Sequence, residues 1–465
     1  MATQAEFNPL SRLERIPVWP YGNKLIVILG LAYFFSFFDI TNVAYGIPIF
    51  TKTFHASSTL GADTITSSLF GYIAGALLVS VVSDYFGRRR ALLIGITLYT
   101  VGSLFTTFSP SIAWLIGWRF VVGMGIGTMI VQVSTYLGEI SPAALRGRFT
   151  GLANIFSFAG LAAVPFVALW LVPSYSWGWR AMLFVGALGG LTTLVLGSSL
   201  RETPRWLMIH GRVDEATAFV DHAEEMARRK LNGSPLPPVV EISLEDAHQS
   251  FPMLELFRPP YLLRMIVLLL YFLLWYSGDY AYLGLAPTFL VKEGFGLGAS
   301  IGFSAIAGIG FLVGAVLIYF YGDRFERKHF LMVTGAAGGV AIILLGLFPS
   351  PFMVALAGFI FTIAIAVLSI LGYIITAEHF PTRARSSGLA MCDGVGHFGG
   401  AMGPLIALWA YAHWGFAGGF GMMGVTTLLC IVLMVFTVRA TRRTLESVTV
   451  AFEPGHEHLT TEVNA

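Results

Sequence analysis

The chain has 465 residues, 56% of them hydrophobic and 12% charged, with a mean hydropathy of +0.74. Soluble domains carry roughly 25% charged residues, so an ordinary water-soluble fold is excluded, and a net charge of +2 leaves no electrostatic footprint for nucleic acid. A membrane helix takes about 20 apolar residues, so about a dozen spans and their short loops would use most of this length.

In chain order, residues 1–25 read as a polar cytoplasmic N-terminal segment with no removable signal. The first span, 26–50, carries Asp39 at its middle, within Phe37 to Asn42. The second, 63–83, runs into a loop in which Asp84 precedes Arg88 by four residues. The third covers 91–109, and the fourth, 112–137, holds Arg119, Gln132 and a run of close-approach glycines, Gly123, Gly125 and Gly127. Glu139 and Arg146 bracket the next loop. The fifth span, 149–172, contains Asn154, and the sixth covers 180–199, completing a first bundle over 26–199.

A polar linker, 200–262, interrupts the apolar pattern. Its mixed-charge stretch from Gly211 to Leu231 places Val213, Ala216, Val220, Ala223 and Met226 at helical spacing, and the proline-rich 234–238 follows. This predicts an amphipathic cytoplasmic helix and then a break. A second bundle, 263–438, is read as spans 263–290, 299–321, 330–348, 352–377, 386–412 and 416–438, ahead of a polar cytoplasmic tail, 439–465. Its seventh span carries Trp275, Tyr276, Asp279 and Tyr280, and its eleventh carries Asp393 and His397. Cys392 and Cys430 both fall in apolar runs and specify neither a disulfide framework nor a metal site.

Placing both termini in the cytoplasm puts 24 of the 28 Lys and Arg on that side; only Lys52, Arg180 and Lys292 lie opposite, and Arg119 is inside a span. That asymmetry is the positive-inside pattern of a multi-pass protein. The chain also repeats itself: Pro48, Asp84, Arg88, Glu139, Pro142, Arg146 and Pro165 each have a residue of the same type 239 positions later, at Pro287, Asp323, Arg327, Glu378, Pro381, Arg385 and Pro404. Seven matches at one offset, all at span ends or helix-breaking positions, indicate duplicated six-helix halves with a cavity between them. The charged members, Asp84, Arg88, Glu139, Arg146, Asp323, Arg327, Glu378 and Arg385, read as a cytoplasmic gate whose charge-assisted bonds break as the halves rock. The alternative is a set of solvated topology signals.

With these motifs in place, the chain resembles a major facilitator superfamily transporter over nearly its full length. Asp84-x-x-Gly-Arg-Arg-Arg resembles the family's loop between helices 2 and 3. The segments Arg119 to Thr128, Tyr136 to Gly147 and Glu202 to Leu207 are similar to the sugar-porter and metabolite:proton-symporter branches. The resemblance implies an all-α membrane protein with twelve transmembrane helices in two pseudo-symmetric six-helix bundles, working by alternating access. Ser80, Tyr85 and Glu326 depart from the loop motif, and Trp275 to Tyr280 stand where hexose porters show paired glutamines and an asparagine, so the substrate is not tied to a hexose.

Ionisable groups inside spans cost about 2.5–3.5 kcal/mol on insertion scales and therefore pair or line wet cavities. Asp39 and Arg119 have no counterpart at the repeat offset, where Gly278 and Gly358 stand, and they are read as a mutual pair. By the resemblance, those positions carry the proton switch of proton-coupled symporters; a static pair that fixes helix packing is the alternative. Trp275, Tyr276, Asp279 and Tyr280 read as substrate-binding, their rings sandwiching a ring or polyol and the carboxylate accepting its hydroxyls, unless the aromatics are an interfacial belt. Asp393 and His397 share a helix face and join that site, unless they are a satisfied polar pair at a helix contact, and Asn154 joins it through its amide, unless it is helix–helix glue; Gly394 to Gly400 resembles the aromatic-acid and metabolite symporters, in which an arginine commonly stands where His397 does. Gln132 reads as helix–helix glue.

No Gly-Lys-Ser/Thr loop serves an ATP pump, and no Gly-x-Ser-x-Gly or His-Glu-x-x-His serves an enzyme. No cofactor or metal is implied. The expectation is a cell-membrane secondary transporter of a small polar organic solute, sugar-like or an organic acid, whose partners are that solute, a proton and the lipid bilayer, with no nucleic acid. Facilitative uniport and a transporter-like nutrient sensor are the rivals.

Overall fold

The computed structural model describes residues 8–239, 256–259, 261–322, 324–380 and 382–437. A short helix, α1 (Pro9–Glu14), precedes six long ones: α2 (Asn23–Thr53), α3 (Ser58–Phe86), α4 (Arg88–Thr107), α5 (Ile112–Ile140), α6 (Ala143–Leu171) and α7 (Gly178–Gly197). The linker forms α8 (Pro204–Ile209) and α9 (Val213–Lys230), and the second set is α10 (Leu262–Lys292), α11 (Leu297–Tyr321), α12 (Arg327–Leu347), α13 (Pro351–Glu378) and α14 (Thr382–Leu433). Eleven of these are long and apolar enough to cross a membrane, each satisfying its backbone groups internally as hydrocarbon requires. At 52 residues, α14 cannot be one crossing, and it folds back at Gly415, where φ is 63° and ψ is −152°. Its arms, 382–414 and 416–433, make the eleventh and twelfth crossings of a major facilitator fold.

Local chemistry sets the helix ends. Ser57, Ser111 and Ser350 cap α3, α5 and α13 by accepting from backbone amides of the first turn. The start of α4 is three residues earlier than hydropathy predicts because the Glu202 carboxylate accepts from the amides of Arg88, at 2.9 Å, and Arg89, at 3.2 Å. Gly87, at φ 99°, makes the turn into that helix. In α9 the buried face is Ala216, Phe219, Val220, Ala223 and Ala227, while Val213 is exposed because it is the first helical residue and precedes the packed turns.

The internal repeat is carried by glycine packing as well as by charge. A Cβ at Gly71 or Gly75 of α3 would lie 2.0 Å or 2.1 Å from the carbonyl oxygens of Phe120 and Met124 on α5, so only glycine permits this crossing. At the same offset of 239, Gly310 and Gly314 of α11 meet the carbonyls of Phe359 and Ile363 on α13, at 2.6 Å and 2.9 Å. Pro48, Pro165, Pro287 and Pro404 lie inside α2, α6, α10 and α14, where each removes one ladder hydrogen bond.

Among the contacts that join the bundles, two lines are related by the repeat. The Tyr72 ring of α3 stacks on His397 of α14 with centroids 3.7 Å apart; their offset counterparts, Phe311 of α11 and Phe158 of α6, stack at 6.2 Å. Further from the linker, Thr66 donates to the Ala401 carbonyl at 2.8 Å, and Gly308 lies against Ala162 and Pro165. Towards the basic face, the side that bears α8 and α9, the bundles part. Asn154 and Gly151 lie four and seven residues before Phe158 on the same helix face, and both are exposed. A Cβ at Gly394, three residues before His397, would meet nothing within 4 Å. The molecule is thus closed on the face away from the linker and open on the basic one.

Candidate functional site

Asp39 and Arg119 meet in the first bundle, both fully buried. Arg119 donates from Nη1 to Asp39 Oδ1 at 3.2 Å, from Nη2 to the Asp39 carbonyl at 3.1 Å, and from Nε to Ser68 Oγ of α3 at 2.8 Å. The Ser103 hydroxyl of α4 donates to Oδ2. From α7, Gly186 lets the carboxylate sit close, since a Cβ there would be 3.0 Å from it. Removing one member of such a buried pair typically costs 3–5 kcal/mol because the other charge stays behind.

A second carboxylate lies where the bundles touch. Asp393 of α14 accepts through Oδ1 from the hydroxyls of Tyr276, at 2.8 Å, and Tyr373, and through Oδ2 from Tyr72 at 3.4 Å. His397 lies one turn on, with Nδ1 2.9 Å from the Asp393 carbonyl and 3.5 Å from its carboxylate, and Nε2 3.3 Å from the Tyr280 hydroxyl. That network places the imidazole proton on Nδ1 and leaves Nε2 to accept. Three phenols around one carboxylate, on rings that also flank an imidazole, offer a polar edge and flat apolar faces together.

The other candidate residues take different places. Asp279 of α10 is buried, and its Oδ1 has no hydrogen-bond partner. Trp275 packs among Tyr271, Phe272 and Tyr373 and so belongs to the wall between α10 and α13. Asn154 is exposed across the gap on the first bundle. Gln132 accepts from the Ser83 hydroxyl at 3.0 Å, a contact between α3 and α5. Tyr72 and Tyr373 were not singled out from the sequence; a lone tyrosine in an apolar span is their whole signal.

At the basic face, Arg88 donates to Glu139 at 2.9 Å and to Asp84 at 2.8 Å, and Thr203 of the linker donates to the second Glu139 oxygen at 2.5 Å. Arg327 pairs with Glu378 in the second bundle. Arg146 binds Glu14 of the N-terminal segment at 2.8 Å instead of a loop carboxylate. Asp323 and the Arg385 side chain lie outside the described residues. In this structure, open on the basic face, each described pair joins segments of one bundle and its attachments, because the repeat places acid and base on neighbouring helices within each half.

The same face carries a strap. Glu224 of α9, almost fully buried, binds Arg12 at 2.9 Å and Arg15 at 2.7 Å, while Trp19 stacks on Phe149 of α6 at 3.9 Å. Burial pushes the Glu224 carboxyl up, but the two guanidinium groups outweigh it and hold it below the usual glutamate range.

Comparison with known proteins agrees with this architecture. The family described as sugar (and other) transporter matches residues 25–452. The chain is 25% identical to the niacin transporter NiaP of Acinetobacter baylyi, over 94% of this chain and 99% of that one. It is 26% identical to the arabinose-proton symporter of Bacillus subtilis, over 92% and 95%. The partially occluded inward-open structure of the xylose transporter XylE from E. coli superposes with a TM-score of 0.73 at 20% identity, covering 90% of this chain and 99% of that one.

Proposed function

The chain belongs to the sugar (and other) transporter family, whose members here are transporters and not enzymes, and from that premise we propose that it is a proton-coupled symporter of a small, ring-bearing polar metabolite. The observation that carries the reading is the Asp39–Arg119 pair, fully buried in the first bundle and absent from the pseudo-symmetric position in the second. A buried carboxylate held by one guanidinium changes its net charge when it takes a proton, and the released arginine alters the cost of moving the helices that carry both groups. Coupling then follows if solute binds better in one protonation state than in the other.

The solute site is the junction of the bundles. Asp393 accepts from hydroxyl or amide donors, Tyr276, Tyr280 and His397 flank a flat ring, and Asn154 and Asp279 reach the ligand as the gap closes. Donor-rich rings such as pentoses fit this chemistry, and the relationship to an arabinose-proton symporter and a niacin transporter supports ring-bearing solutes. Reading the basic face as cytoplasmic, which the lysine and arginine distribution supports, makes this the inward-facing state of a cell-membrane protein with both termini inside.

The test is uptake into proteoliposomes under an imposed pH gradient, with labelled pentoses, hexoses and pyridine carboxylates, for the parent and Asp39→Asn. Uphill accumulation in the parent, lost in Asp39→Asn with solute exchange retained, is the expected result. Downhill flux alone in the parent would make the protein a uniporter, and binding without flux a sensor; either outcome ends the symport reading.

A further inference from the structure

Asn42 stands one turn beyond Asp39 on α2 and is 1% exposed; its carbonyl oxygen has no hydrogen-bond partner, and its amide nitrogen makes no hydrogen bond of ordinary geometry, approaching only the Asp39 carboxylate loosely. Buried polar groups left unmade are expensive, and native structures retain few of them. Its position borders the carboxylate: a Cβ at Gly186 would lie 3.1 Å from Asp39 Oδ2 and 3.2 Å from Asn42 Nδ2, so the two side chains flank the same small space.

The groups already on Asp39 are donors. Arg119 of α5 serves Oδ1 and Ser103 of α4 serves Oδ2, while Ser68 of α3 is engaged by the arginine. Tyr99 of α4, the other titratable side chain nearby, donates its hydroxyl to the Gly186 carbonyl of α7 at 2.8 Å. Among the described residues, the ionisable side chains that act on the carboxylate are Arg119 and Tyr99. Donors suit the ionised form. A carboxylic acid instead presents an O–H that needs an acceptor, and the unoccupied one beside it is the Asn42 carbonyl. A primary amide offers NH₂ or C=O after a half-turn about its last torsion.

We propose that Asn42 is a positioning residue for proton exchange, turning its carbonyl to accept from Asp39 when that carboxyl carries a proton, an interaction stronger than the loose approach of its amide to the ionised form, so that the buried site accommodates the protonated state as well. The proton comes from and returns to water, and no other bond changes. This inference rests on the proton-coupled reading above.

The test needs no transported solute. An infrared pH titration of the full-length protein in lipid follows the carboxylic-acid band that disappears in Asp39→Asn. Asn42→Leu removes the acceptor and moves the midpoint of that band to lower pH by about one unit, a tenfold loss of proton affinity. Asn42→Ser, which keeps a donor and an acceptor, restores at least half of the shift. Ser103→Ala removes a donor to the ionised form and moves the midpoint the other way. An unmoved or raised midpoint in Asn42→Leu overturns the role of Asn42 while leaving Asp39 as the proton carrier. If no titrating band is lost in Asp39→Asn, the coupling reading and this inference fall together.

Discussion

Arg119 is the residue on which the first bundle's polar interior depends, because it joins α5 to the carboxylate and backbone of α2 and to a hydroxyl of α3. Arg119→Leu leaves the Asp39 charge buried without a counter-ion and is expected to cost about 3–5 kcal/mol, read as a large fall in the detergent melting temperature. Asp39→Asn together with Arg119→Leu removes both charges and should recover at least half of that loss. If the two single effects simply add in the double variant, the groups are not energetically coupled and the geometry has been over-interpreted. The Asp393 cluster obeys a different logic. Its carboxylate receives three phenol hydroxyls, so the solute proposed to bind there would exchange one hydroxyl partner for another.

At the level of helices, the N-terminal segment and α9 act as one attachment to the first bundle. Arg12 and Arg15 converge on Glu224, Lys230 donates to the carbonyls of Trp19 and Tyr21, and Tyr21 donates to the Ile140 carbonyl at the end of α5. Since the folded protein holds the Glu224 carboxyl below its ordinary range, this contact is fully present above the unfolded glutamate value and is lost as pH falls through the lower, folded one. Glu224→Gln should therefore loosen the strap even at neutral pH. Limited trypsin digestion at Arg12 and Arg15 should accelerate several-fold; unchanged cleavage would show that the strap is held by Trp19 and Glu14 alone. Because these contacts involve only the first bundle, the strap is expected to travel with it as the halves rock.

For the molecule as a unit, the repeat explains why rocking is available. The Tyr72–His397 and Phe158–Phe311 stacks are symmetry counterparts near the middles of their helices, and the Thr66–Ala401 contact beyond them lies on the face away from the linker. In the proposed alternating-access cycle, opening on the basic face pivots about matched aromatic pairs, one polar and one apolar. In a background with the buried Cys392 and Cys430 replaced by serine, Asn154→Cys should react quickly with a membrane-impermeant maleimide applied from the basic side. Reaction only from the opposite side would reverse the assigned opening.

The twelve crossings, the duplication at one offset and the ionisable residues buried inside the spans could all be read along the chain, since each depends on local hydropathy, on loop composition or on spacing. How the residues face one another could not. Ser103 and Arg119 reach Asp39 from 64 and 80 positions away, and Tyr72 reaches Asp393 from 321. In hydrocarbon a helix is apolar on nearly every side, so no amphipathic stripe tells which face of α4 brings Ser103 inward or turns Trp275 into the wall. The gate charges show the same limit: their recurrence was visible, but helix adjacency alone placed Arg88 with Glu139 inside one bundle and gave Arg146 to Glu14. Packing chose the partners because, once lipid removes the hydrophobic difference between faces, shape and polar satisfaction are what remain to choose them.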